Sequence, residues 1–189
     1  MIRRAIWGVF WLICGLLMAW KAGAQAAPAA VGPGTALRIG GGISGFQIDY
    51  GERHLGGGVA WVDANPYWRV GIEGEARWLG YHSDNQVTES TYLVGPRVPI
   101  LQHGAFEPYV KAMAGGARFT FPFGYGNGTY FVVAGGGGVD VNVGRNWQVR
   151  AVDFEYQRWP QFTFGVLNPY GVSAGISYRL FRSRTNIER

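Results

Sequence analysis

The stretch Tyr81-His82-Ser83-Asp84-Asn85 sets a histidine beside a serine. A histidine that takes the proton of a serine hydroxyl creates a nucleophile for acyl transfer. Adjacent residues on an extended chain point to opposite faces, so these two side chains diverge. The stretch reads better as a solvated loop. Gly40-Gly41-Gly42-Ile43-Ser44-Gly45 satisfies G-x-G-x-x-G. A dinucleotide site needs a helix directly after the glycines and an acidic residue ending a second strand, and the sequence offers neither. His54, His82 and His103 lie far apart, and Cys14 is the one cysteine, so no metal-ligand spacing is present. Asn127-Gly128-Thr129 fits a glycosylation sequon but reads as a turn.

The remaining reactive groups are charges, and their spacing is informative. Along 68–78, Arg69, Glu73, Glu75 and Arg77 alternate with Trp68, Val70, Ile72, Gly74, Ala76 and Trp78. A period of two places the charges on one face of a β-strand and the apolar residues on the other. The pattern returns to the C-terminus and gives eight strand-like segments, near 36–48, 53–63, 67–80, 90–101, 107–119, 129–142, 147–158 and 170–181. No segment holds a helical period, and glycine clusters at 40–42, 56–58, 115–116 and 135–138 oppose helix.

The links between segments differ in length. Asp63-Ala64-Asn65-Pro66, Gln102-His103-Gly104-Ala105 and Gly144-Arg145-Asn146 are short and rich in turn formers. The links around 81–89, 120–128 and 159–169 are longer. The one near 49–53 is short and breaks the trend.

The ends read as processing segments. Arg3 and Arg4 precede an apolar run, Ala5 to Trp20, followed by Lys21-Ala22-Gly23-Ala24. This is the form of a secretory signal over 1–24, cleaved after Ala24 or Ala26. Residues 25–35 read as a flexible leader, 36–181 as one β domain and 182–189 as a basic tail. Cleavage removes Cys14, so no disulfide framework is expected. The formal net charge of +5 includes Arg3, Arg4 and Lys21, so no basic stripe suited to nucleic acid remains. Charged residues make up 15 % of the chain, below the roughly 25 % usual for a soluble domain.

The facing follows from parity. Phe131, Val133, Gly135, Gly137, Val139 and Val141 take one side, with Asp140 and Asn142 on the other. Val152, Phe154 and Tyr156 oppose Asp153, Glu155 and Gln157. Val172, Ala174, Ile176, Tyr178 and Leu180 oppose Ser173, Ser177 and Arg179. In a closed barrel, Arg38, Arg69, Arg77, Arg97, Lys111 and Arg179 would meet Glu73, Glu75, Asp140, Asp153 and Glu155 as a paired network filling the lumen. Aromatics at segment ends (Trp61, Tyr67, Trp68, Trp78, Tyr81, Trp147, Trp159, Tyr170, Phe181) suit interface girdles. The alternative is a soluble periplasmic barrel of lipocalin type, with the apolar face turned inward to a ligand.

Ser173-Ala174-Gly175-Ile176-Ser177-Tyr178-Arg179-Leu180-Phe181 is similar to the C-terminal signal read by the barrel assembly machinery. Val149-Arg150-Ala151-Val152-Asp153-Phe154-Glu155-Tyr156 looks like the penultimate strand of the same proteins. Over 36–181 the chain resembles the small outer-membrane barrels related to outer-membrane proteins A and X. The resemblance implies an all-β fold, an eight-stranded antiparallel up-and-down transmembrane barrel, in the outer membrane. It implies Gly175, Tyr178, Leu180 and Phe181 as the assembly signal, although Arg182 to Arg189 follow it. The expected partners are outer-membrane lipid, lipopolysaccharide and, during biogenesis, the assembly machinery. No nucleic acid, cofactor or metal is expected, and the protein is expected to be a monomer.

The cell-wall anchoring of outer-membrane protein A is not expected to carry over, because the sequence shows no peptidoglycan-binding domain. A structural or surface-interaction role without enzyme activity is expected, with at most a very narrow pore. Lipid A-modifying barrels use His and Ser at the outer leaflet, which keeps His82 and Ser83 as an enzymatic alternative. The lipid A deacylases separate the pair by one residue, however. The apolar loop Phe119-Thr120-Phe121-Pro122-Phe123-Gly124-Tyr125 either packs over the barrel mouth or touches lipopolysaccharide or a partner.

Overall fold

The computed structural model describes residues 36–48, 53–67, 70–80, 87–101, 104–120, 127–163 and 165–181. The expected signal segment (1–24), leader (25–35) and basic tail (182–189) lie outside the described residues. Among the described residues nine strands occur: β1 (Ala36–Ile48), β2 (Arg53–Tyr67), β3 (Val70–Gly80), β4 (Thr88–Pro99), β5 (Phe106–Thr120), β6 (Asn127–Val143), β7 (Trp147–Phe162), β8 (Gly165–Leu167) and β9 (Tyr170–Phe181). Each long strand pairs antiparallel with its neighbours in the chain, and β7 pairs with β6 and β9. β1 then pairs with β9, for example Arg38 opposite Arg179, so eight strands close into an all-β barrel. Closure gives each of the eight long strands two partners, which is what lets a sheet stand in lipid.

Two tight turns have evident local causes. Gly104 (φ 63°) lies between β4 and β5, and Gly144 (φ 79°) lies between β6 and β7. Only glycine adopts that backbone without a steric cost. These turns and the 68–69 link share the end that carries the start of β1 and the close of β9. The links 49–52, 81–87, 121–126 and 163–169 share the other end.

Three boundaries differ from the sequence reading. Asp63-Ala64-Asn65-Pro66 belongs to β2, because pairing with β1 runs on through Asp63 to Asn65. β4 begins at Thr88, so Glu89 is a strand residue rather than part of a loop. β7 continues to Phe162 and folds back as a hairpin with β8, so the 159–169 link is largely structured.

The wall is apolar on the outside, with Ile43 74 %, Ile72 51 %, Val94 58 %, Val172 52 % and Ile176 54 % exposed. Aromatics mark both rims of this belt. At the end opposite the tight turns Trp78 Nε1 donates to the Tyr92 hydroxyl at 3.2 Å, and at the turn end Trp147 packs on Tyr178 at 5.0 Å. Glycine lets the strands approach closely. A Cβ on Gly42 would be driven into the carbonyl of Ala174 on β9.

Candidate functional site in the barrel interior

The interior has two storeys. In the half nearer the turns, strand alternation turns a set of charges inward. Lys111 stands at its centre, on the β5 face that also carries Glu107 and Tyr109. Its Nζ lies 2.7 Å from Asp153, 2.8 Å from Glu75, 3.0 Å from Glu155 and 3.2 Å from Glu73. Arg77 bonds Glu155 at 3.0 Å, pairs with Glu75 and lies 4.1 Å over the Phe46 ring. Arg97 bonds Asp140 at 2.6 Å and stacks on Tyr109 at 3.9 Å. Arg150 bonds Glu73 at 2.7 Å and lies 4.2 Å over the Trp61 ring. Arg38 and Arg97 both reach Glu107 at 3.8 Å.

Each charge must be paired here, because burying an ion alone costs several kcal/mol. The guanidiniums also use aromatic faces, which suit their weakly hydrated planes.

Glu73, Glu75 and Asp153 come close enough together to hold a cation. The Lys111 ammonium already occupies that position, so the trio is the counter-ion shell of a lysine.

The storey at the end opposite the turns is apolar. Phe46, Ile48, Leu55, Leu79, Leu93, Met113, Phe119, Tyr130, Trp159, Phe162 and Leu167 form one buried cluster. Its rings meet edge-on: Phe119 is 6.4 Å from Trp159 and 5.7 Å from Phe162. Trp159 Nε1 donates to Gln157 at 2.9 Å, which ties the cluster to the charged storey below. Glu89 is the exception. It is 1 % exposed, and neither carboxyl oxygen has a hydrogen-bond partner among the described residues.

Of the sequence-predicted charges, Arg38, Glu73, Glu75, Arg77, Arg97, Lys111, Asp140, Asp153 and Glu155 are buried inside the barrel. Arg179 is half-buried on β9. Arg69 lies outside the described residues. So do His82, Ser83 and His103, as well as Trp68, Tyr81 and the loop tip 121–126. Gly175 packs where a Cβ would meet Gly42 and the Trp61 indole. Leu180 is exposed on the wall. Phe181 ends β9, and its side chain falls outside the description.

Sequence reasoning missed Arg150, Asp63, Glu89 and Glu107. By simple parity Arg150 should face away from Asp153. The ladder shifts register between these two residues, and Ala151 and Val152 are both exposed. This bulge brings Arg150 and Asp153 to the same side. Asp63 follows Val59 and Trp61 in steps of two, a signal masked by its turn-like neighbours. Trp61 and Trp159 were placed in the girdles, but at 2 % and 0 % exposure they are interior residues. Each falls on the inward parity of its strand, which outweighs its place near a predicted segment end. Glu107 shares the inward parity of Tyr109 and Lys111.

Residues 12–179 match the outer membrane protein beta-barrel domain family. No curated protein matches the sequence. Among solved structures, neisserial surface protein A is 10 % identical with a TM-score of 0.63, over 77 % of this chain and 96 % of that one. The OprG protein of Pseudomonas aeruginosa is 10 % identical with a TM-score of 0.59, over 79 % and 98 %. The Ail protein of Yersinia pestis is 16 % identical with a TM-score of 0.52, over 77 % and 99 %. These similarities are of fold. With the family match spanning most of the sequence, the chain belongs to the outer membrane protein β-barrel domain family.

Proposed function

We propose that the protein is a structural or surface-interaction barrel of the outer membrane, with no enzymatic step and a lumen closed to general solutes. One observation carries this reading. Lys111 binds carboxylates from β3 and β7, strands on opposite sides of a narrow barrel, and so stitches the lumen across its middle. Eight strands enclose only enough space for side chains, and here those side chains are mutually paired. The family match supports the outer membrane as the location. Export by a cleaved signal, delivery by the assembly machinery and a monomeric state in lipid and lipopolysaccharide complete the proposal. The surface role is assigned to the loop-bearing end, since the wall faces lipid.

The test is a pair of measurements on protein refolded into vesicles. Gel mobility should shift on boiling, as for a closed barrel. Vesicles carrying the protein should not swell in small sugars. Swelling at rates typical of a general porin would defeat the closed-lumen reading, and a boiling-independent mobility would defeat the barrel state itself.

A further inference from the structure

A long break in strand pairing lies between β6 and β7. The β6–β7 ladder ends at Val133 opposite Arg158. Above that point β6 runs on through 127–132, paired with β5 alone among the described residues. β7 runs on to Phe162 and pairs with β8 instead. The cause is in the sequence. Continuing the register would set Phe131 against Pro160, and proline has no N–H to give a ladder.

The resulting seam lies at the height of the aromatic storey. Its closure is made by side chains. The Tyr130 hydroxyl bonds Thr163 Oγ1 at 2.6 Å, and the Tyr130 ring lies 5.0 Å from Phe162 and 5.9 Å from Trp159. Phe131, half-exposed, forms the lipid-side lip.

We propose that this seam is a side entrance through which a hydrocarbon chain of an outer-leaflet lipid enters the aromatic storey. Outside the seam Phe131 and Val133 end the apolar belt, and exposed Arg158 and Arg118 flank it, as at the headgroup level of a bilayer. The lining inside is apolar, and the Tyr130–Thr163 hydroxyl pair latches it. Below, the Lys111 and Arg77 ion pairs form a charged floor, so a chain that enters goes no deeper. Backbone pairing, which joins the strands over most of the wall, is absent here among the described residues.

The experiment uses the full-length chain and its Tyr130→Phe variant, each with and without Trp159→Phe, refolded into phosphatidylcholine vesicles with chains brominated at mid-length. Bromine quenches tryptophan on contact. Exposed Trp78 and Trp147 are quenched in every form and set the baseline. The unaltered chain should be quenched beyond its Trp159→Phe form, and Tyr130→Phe, which loses only the latch hydroxyl, should enlarge that excess. No excess over the Trp159→Phe form overturns the entrance. An excess that Tyr130→Phe leaves unchanged, with gel mobility showing a folded barrel, also overturns it.

Discussion

The two storeys of the interior fill the same eight-stranded tube by opposite means. The turn-side storey is held by ion pairs that fix each other's positions, whereas the loop-side storey is held by rings and aliphatic groups in non-directional contact. A charged storey tolerates little change, because a missing partner strands an ion in a low-dielectric space. An apolar storey can repack around modest changes of shape. One tube thus combines a rigid floor with an adaptable cap.

The most damaging test strikes the floor. Lys111→Met should cost about 3–5 kcal/mol, since four carboxylates lose a shared cation. Urea unfolding from vesicles measures it, and a loss below 1 kcal/mol, on the order of a surface pair, would show that the network does not hold the storey. Next in size is Ile72→Arg, one residue along from buried Glu73. It should cost about 2–4 kcal/mol as a charge near the bilayer midplane. Unchanged stability in the same assay would mean that the faces are reversed.

Glu89→Leu goes the other way. It removes a buried carboxyl without hydrogen bonds from the apolar storey and should stabilise by about 1–3 kcal/mol. Destabilisation would reveal a partner for Glu89 and blur the line between the storeys. The smallest effect belongs to Phe119→Leu, a near-volume swap in the cap that should cost less than about 1.5 kcal/mol. A loss as large as that of Lys111→Met would make the cap as specific as the floor.

Much of this was legible in the sequence, for a simple reason. Residues 70–78 and 170–180 alternate without interruption, so period two gives both strand and facing. The turn at 144–146 was visible because Gly144 needs a positive φ. Where the reading failed, one residue had broken the count or a local cue had competed with it. Ala151 is the extra residue that flips Arg150 inward. Asp63-Ala64-Asn65-Pro66 has turn chemistry, yet ladder partners on β1 for Asp63, Ala64 and Asn65 keep it extended. The aromatic cap was the least legible feature. Trp159 and Phe162 enter it through the β8 hairpin, and a three-residue strand leaves no periodicity to detect.

The closing seam between β1 and β9 also has a temporal meaning. Arg38 and Arg179 lie almost the whole domain apart in sequence, yet they face each other across the last ladder. Each hairpin pairing along the chain closes a short loop, while this one closes the longest, and closure entropy grows with loop length. Contacts of such separation make folding slow and leave a waiting edge exposed. β1 is therefore the first strand available and, on its β9 side, the last to be satisfied. A chain stalled before residue 170 would carry two unpaired edges into the membrane.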